Sequence, residues 1–384
     1  MSDAPDRPKQ ARTATQQGEG TPVSVVGTSF ADRLVDWQRQ HGRHDLPWQN
    51  TRDPYRVWLS EIMLQQTQVV TVLDYYARFL ARFPTVADLA EAHADEVMGL
   101  WSGLGYYSRA RNLHRCAQQV VALHGGVFPR TAQALQTLPG IGPSTAAAVA
   151  SLCFQERVAI LDGNVRRVLT RTLGFGDDLS QSSSERSLWA HATRLLPVEP
   201  VDMPAYTQGV MDLGATLCVQ RHPACAICPM ADICVARQEG RPEHYPVKTR
   251  KLKRSAQSLW LLQACNAQGA VWLELRPEKG VWARLYSLPA FESREALAQA
   301  LPASLRHLLV DAPAFVHVLT HKDLHLHPVQ LNLPGQDDGQ GAALQEGAGR
   351  WVAADGWPQL GLPAPVRKLL ETRVNHRPSV HGDA

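Results

Sequence analysis

From Phe30 onward, apolar residues return every three or four positions in one stretch after another. Asp53 and Pro54 precede Tyr55, Trp58, Leu59, Ile62 and Met63, which reads as a cap, a proline suited to the first helical turn and an amphipathic run. The same spacing predicts helices over residues 69–83, 106–123, 144–152, 165–173 and 206–217. Short connections such as Phe83-Pro84-Thr85 and Leu138-Pro139-Gly140 separate them, and strand signals are scarce. The pattern changes past residue 255. Residues 258–265, 270–275 and 316–333 carry short apolar or alternating runs, whereas 294–309 and 366–372 have helical spacing. An all-α region followed by a smaller α+β domain is the fold this predicts.

Composition sets the boundaries. Residues 1–27 are rich in Pro, Gln, Thr and Gly without periodicity, which predicts a disordered tail, and 376–384 form a second tail. The helical domain spans 28–236 and the α+β domain 258–375. Between them, 237–257 include EGRPEHYPVKTRKLKRS, basic, proline-rich and poor in apolar residues, a linker by composition. With 384 residues, 44% hydrophobic and a formal charge of +3, wholesale disorder is excluded and two cores can form. No apolar run approaches the ~18 residues of a membrane span. The opening MSDAPDRPKQ lacks the apolar segment of a signal peptide, so a cytoplasmic protein with no membrane partner is expected.

Chemistry is carried by a cysteine cluster, a glycine hairpin in an arginine-rich stretch, and two carboxylates. Cys218, Cys225, Cys228 and Cys234 follow the arrangement C-x6-C-x2-C-x5-C, in a chain whose other cysteines, Cys116, Cys153 and Cys265, are scattered. Four thiolates so close can surround a zinc ion or an iron–sulfur cluster, and spacing alone does not separate the two. LPGIGPSTAAAV at 138–149 puts Gly140, Gly142 and Ser144 at the mouth of an apolar helix, where free backbone N–H groups suit a phosphate. Between residues 106 and 171 eight arginines face only two acids, Glu156 and Asp162, the electrostatic footprint expected of nucleic-acid binding. Glu61 sits mid-helix on a partly apolar face, where desolvation raises a carboxyl pKa toward that of a proton donor. Asp162 opens Asp162-Gly163-Asn164 as a helix N-cap.

The segment 138–149 resembles the helix-hairpin-helix (138–150) of the DNA glycosylase superfamily, and the cysteine spacing (218–234) resembles the loop of its endonuclease III branch. WLSEIMLQQTQV at 58–69, LWSGLGYYSRARNLH at 100–114 and LDGNVRRVL at 161–169 are similar to the MutY family of adenine DNA glycosylases. The resemblance implies an enzyme acting on double-stranded DNA and removing adenine opposite 8-oxoguanine or guanine, with one [4Fe-4S] cluster on the four cysteines; a monomer is expected. It implies Glu61 as general acid and Asp162 as stabiliser of the cationic sugar or covalent partner to it. Trp48, Gln208 and Asn164 match the adenine pocket; Tyr106 matches an aromatic wedge beside the lesion and Gln65 a residue inserted into the duplex.

Strand cleavage by a glycosylase needs an amine, normally a lysine, to form a Schiff base with the sugar. No lysine occurs between Lys9 and Lys248, and Ser144 stands where endonuclease III carries its own, so a monofunctional enzyme leaving an abasic site is expected. Residues 258–375 resemble the family's Nudix-like domain through Gly280-Val281-Trp282 and Leu285-Tyr286-Ser287-Leu288-Pro289. Leu319-Thr320-His321 replaces the usual Phe-Ser-His, which keeps a hydroxyl and an imidazole for the lesion but loses the aromatic ring. The acidic Nudix box is missing, so this domain is expected to read rather than hydrolyse.

Overall fold

The computed structural model describes residues 24–249, 254–333 and 349–375. The first part is helical: α1 (Ser24–His41), α2 (Pro54–Leu64), α3 (Val69–Arg82), α4 (Val86–Glu91), α5 (Ala94–Leu100), α6 (Ser108–His124), α7 (Ala132–Leu135), α8 (Pro143–Phe154), α9 (Gly163–Leu173), α10 (Ser182–Arg194), α11 (Met203–Thr216) and α12 (Val235–Gln238). Helix α8 is small-residue and apolar on nearly every side, so it becomes the centre, with Ala146 through Ser151 all buried. Helix α2 packs against α8, and α11 lies between α8 and α9. The last turn of α2 and the first turns of α8 and α9 are thereby gathered beside α11.

The second part is a mixed eight-stranded sheet: β1 (Ser255–Cys265), β2 (Val271–Leu275), β3 (Tyr286–Ser287), β4 (Ala290–Phe291), then α13 (Arg294–Gln299), β5 (Val310–Asp311), β6 (Phe315–Val318), β7 (Lys322–Asn332), β8 (Gly349–Val352) and α14 (Ala364–Asn375). β1 and β7 run parallel in register from Ser255↔Lys322 to Cys265↔Asn332, while β2 is antiparallel to β1, β3 and β8. Alternation along β1 and β7 sends Leu259, Leu261, Leu324 and Leu326 to a core shared with Val366 and Leu370 of α14. It sends Leu262, Ala264, Val329 and Leu331 to a second core beneath Leu297 of α13. Helices thus cover both faces of the sheet.

Four expectations are corrected. Residues 24–27, read as tail, are helical in α1; positions 1–23 and 376–384 lie outside the described residues. The run 294–309 is broken at Pro302 into α13 and a 3₁₀ turn, because the residue before a proline is pushed out of the α region. The run 316–333 is two strands with a turn at Leu319–His321, so Thr320 and His321 lie at the turn. The first half of the linker is fastened to the helical domain. The Val247 carbonyl accepts from Leu179 N at 3.1 Å, the Tyr245 carbonyl from Arg171 Nε at 3.3 Å, and Asp178 Oδ1 accepts from Thr249 N at 3.2 Å. Composition shows the lack of apolar residues there, but not that backbone groups supply the attachment instead.

The two domains dock through α5 and α6. Tyr107 Oη donates to Leu362 O at 2.6 Å, Arg111 donates to Ala283 O at 3.0 Å, and Arg367 Nε reaches Ser102 Oγ at 3.0 Å. Leu285, from the sheet domain, is buried in the helical domain's core.

Candidate active site

Helix α2 starts where Asp53 accepts a hydrogen bond from Tyr55 N at 2.9 Å, and it buries Val57, Trp58, Leu59, Ile62 and Met63. Glu61 lies on its remaining side, at an open cleft lined also by Asp162, Asn164, Trp48, Gln208, Gln65 and Ser144. Seven of the site residues named from sequence therefore meet in one cavity. Burial, and then the charge of Asp162, push the Glu61 carboxyl up to about 7. It is half protonated near neutrality, the condition for a proton donor.

Asp162 caps α9 as expected, accepting from Val165 N at 2.7 Å. Burial raises its pKa, opposed by the backbone donors of Val165 and Asn164 and by Arg167 and Arg166. One side chain thus serves both as cap and as a carboxylate facing the cleft. Asn164 is held by Arg167, which donates to its Oδ1 and to Gly214 O, each at 2.7 Å. A Cβ on Gly214 would stand 2.8 Å from that of Asn164, so α9 and α11 approach closely here.

Trp48 is 7% exposed and meets Tyr76 edge-on, with ring centroids 5.3 Å apart. Gln208 Nε2 donates to Asp212 Oδ1 at 3.0 Å. Asp212, fully buried, also accepts from Arg43 Nε at 2.7 Å and Arg43 N at 3.1 Å. Arg43, which also lines the cleft, and Asp212 were missed by sequence reasoning. The available signal was an acid placed between Met211 and Leu213 inside an apolar helix, where an unpaired carboxylate would not be tolerated.

In the hairpin, Gly140 has φ of +76° and a Cβ there would meet Asn112 Cβ at 2.6 Å, so it turns the chain tightly against α6. Gly142 precedes α8 with nothing within 4 Å of a Cβ. Ser144 Oγ accepts from Leu161 N at 3.1 Å, fixing the hairpin to the segment before Asp162. No lysine lines the cleft among the described residues. Tyr106 lies outside this cavity, 44% exposed with φ of +47°, and its hydroxyl meets Thr320 Oγ1 at 2.5 Å, a contact that bridges the two domains. His321 is exposed, and its carbonyl accepts from Ser255 N at 3.1 Å.

Cys218, Cys225, Cys228 and Cys234 line one small apolar pocket together with Leu217, Met230 and Arg171. Arg171 donates to Cys218 Sγ at 3.4 Å, to Val219 O at 2.7 Å and to Gln220 O at 2.9 Å. Four thiols beside a buried cation suit a thiolate-held metal group, since the guanidinium offsets part of the thiolate charge. Among the described residues, no three His, Cys, Asp or Glu side chains stand close enough to hold a single metal ion.

The arginine-rich stretch is largely not the open basic face its charge count suggests. Arg109 and Arg171 are buried; Arg157 and Arg167 donate to backbone carbonyls, and Arg166 pairs with Glu185. Guanidinium groups with few acids nearby have turned to main-chain oxygens, which a charge count cannot register.

Residues 59–193 match the model of the HhH-GPD superfamily of base excision DNA repair proteins, and 260–372 that of the NUDIX domain. Curated relatives named adenine DNA glycosylase include that of Buchnera aphidicola, 34% identical over 89% of this chain and 97% of its own length. Those of mouse and human are 33% and 34% identical, covering 96% and 91% of this chain and 83% and 75% of theirs. Among solved structures, a thermostable thymine-DNA glycosylase aligns with a TM-score of 0.50 at 29% identity, covering 57% of this chain and all of that one. With relatives above 30% identity covered over three quarters or more of their length, the chain belongs to the adenine DNA glycosylase family of base excision repair, hydrolases of the N-glycosyl bond of adenine in DNA.

Proposed function

We propose that this enzyme removes adenine mispaired with 8-oxoguanine or guanine, by hydrolysis alone, leaving an abasic site. The observation that carries the reading is the meeting of Glu61, with a pKa of about 7, and Asp162 in one cleft that also holds Trp48, Gln208 and Asn164. The adenine is turned out of the duplex into this cleft, where Trp48, Gln208 and Asn164 receive it. Glu61 donates its proton to a ring nitrogen of the departing base as the bond to the sugar breaks. Asp162 faces the positive charge that develops on the sugar, and water then adds to the sugar carbon, giving its proton to the carboxylate that Glu61 has become. Gln65 and Tyr106 contact the opened duplex, and the hairpin at Gly140, Gly142 and Ser144 holds backbone phosphate. The second domain, 258–375, reads the opposite base through Thr320 and His321, beside Tyr106.

Cys218, Cys225, Cys228 and Cys234 hold one [4Fe-4S] cluster, which when bound organises the loop bearing Arg221 and His222 for phosphate contact. The protein acts as a cytoplasmic monomer on nucleoid DNA. Single-turnover cleavage of duplexes with adenine opposite 8-oxoguanine, guanine or thymine tests the reading. Wild type excises fastest opposite 8-oxoguanine, Glu61→Gln releases no base, and borohydride traps no lysine adduct. Equal rates on all three duplexes would sink the specificity, and a robust adduct would sink the monofunctional assignment. Iron and sulfide analysis tests the cluster: one zinc per chain without sulfide overturns it.

A further inference from the structure

Arg109 is 8% exposed, and among the described residues no carboxylate pairs with it. Its acceptors lie on two segments. One terminal nitrogen donates to Ile62 O and Met63 O at 2.9 Å each and Gln65 O at 2.7 Å, the carbonyls that close α2 just after Glu61. The other donates to Thr67 Oγ1 at 3.1 Å, and across to Leu104 O at 3.1 Å and Gly105 O at 3.3 Å, immediately before Tyr106. The cation also lies over the rings of Trp101 and Tyr106, at 5.1 and 5.6 Å from their centroids. Gln66 and Tyr106, one on each segment, hold positive φ of 57° and 47°. Non-glycine residues keep such backbone only where their surroundings over-determine it.

We propose that Arg109 is a positioning residue that locks the segment carrying Tyr106 to the end of the helix carrying Glu61, so that lesion contact and base excision share one register. The inference rests on the reading of Gln65 and Tyr106 as DNA contacts. A phosphate contact does not fit Arg109, whose terminal donors are committed inside the protein. An apolar residue would fill the space without the cost of dehydrating a charge, so packing alone does not account for it. The planar fork reaches both segments at once, whereas a lysine ammonium, a point donor, reaches one. Burial lowers the Arg109 pKa only to about 10, so the lock stays charged at neutral pH. Three of the carbonyls it meets, those of Ile62, Met63 and Gln65, lie at the negative end of the α2 dipole, which replaces the missing carboxylate.

The test uses full-length protein and reads two quantities separately, the single-turnover excision rate constant and the affinity for lesion duplex. Arg109→Lys is expected to slow excision by roughly 100-fold, since misplacement of about 1 Å costs that much. It should also lose as much lesion affinity as Tyr106→Ala, with no further loss in the double variant. A merely structural arginine would lower the unfolding temperature and the active fraction, not the rate constant of the folded protein. Thr67→Val is the milder variant, removing one acceptor, and should slow excision by roughly 2–12-fold, the equivalent of one hydrogen bond. Wild-type rate and affinity in folded Arg109→Lys and Thr67→Val, or losses that multiply in the double variant, overturn the lock. Unchanged lesion affinity in Tyr106→Ala overturns the wedge reading instead. The lock is then judged on adenine opposite guanine: slower excision by both Arg109→Lys and Thr67→Val keeps it, and wild-type excision overturns it.

Discussion

Glu61 shows how one residue's setting decides its chemistry. Its side chain shares a helix with Trp58, Ile62 and Met63, all buried, and its carboxyl faces a cleft with Asp162 opposite. Because its folded pKa of about 7 lies above the ordinary value of 4.5, folding favours the protonated form. The associated stability is fully present below about pH 4.5 and is lost as pH rises through about 7, by up to roughly 3 kcal/mol. Glu61→Gln should therefore match wild type in stability at acid pH and exceed it at pH 8; melting curves that stay parallel across that range contradict the assignment. The excision rate should fall on the alkaline side with an apparent pKa near 7, as the proton to be donated is lost, and an unbroken rise to pH 9 would count against Glu61 as the acid. The sequence placed Glu61 on a partly apolar helix face and Asp162 at a cap. It did not reveal Asp212, because an acid's partner, here Arg43 from a distant turn, has no signature in local spacing.

At the scale of elements, helical periodicity, caps and proline breaks located most segments of the helical domain, since each depends on near neighbours. What they could not provide was the destination of long polar side chains. Arg167 and Arg171 on α9 tie that helix to the cysteine loop through carbonyls of Cys218, Val219 and Gln220, and the basic linker is stitched to Asp178 and Leu179. Both arrangements join residues far apart in sequence. The hairpin offers a paired prediction. Gly140→Ala should cost roughly 1–3 kcal/mol, because the backbone is left-handed and Asn112 blocks the methyl group. Gly142→Ala, in open space with φ of −82°, should change stability by no more than about 0.5 kcal/mol. Thermal unfolding of the two variants decides; equal losses would show that the turn is not what Gly140 provides. The pair also separates folding from phosphate approach, since only Gly142 gains a side chain pointing into open space.

For the whole molecule, the decisive feature is the docking of the sheet domain on α5 and α6. Gly99 lies within α5, where a Cβ would stand 2.2 Å from Gln359 O of the second domain. On the proposed lesion reading, Gly99→Val should loosen this contact and lower the preference for adenine opposite 8-oxoguanine over adenine opposite guanine, while excision opposite guanine stays within about threefold, the equivalent of about 0.7 kcal/mol. Full retention of the preference would show that docking at α5 does not serve lesion reading. By itself the sequence determined the all-helical and mixed α+β halves, the carboxylates, the four cysteines and the lysine-free stretch from residue 10 to 247, because these depend on residue type and short spacing. Only the tertiary structure decided that Glu61 from α2, Ser144 from α8, Asp162 before α9 and Gln208 from α11 line one cleft, and that Tyr106 meets Thr320 across the domain boundary. Those proximities join segments tens to hundreds of residues apart through packing around α8 and docking of two separate cores, and periodicity along a chain carries no record of which distant faces will meet.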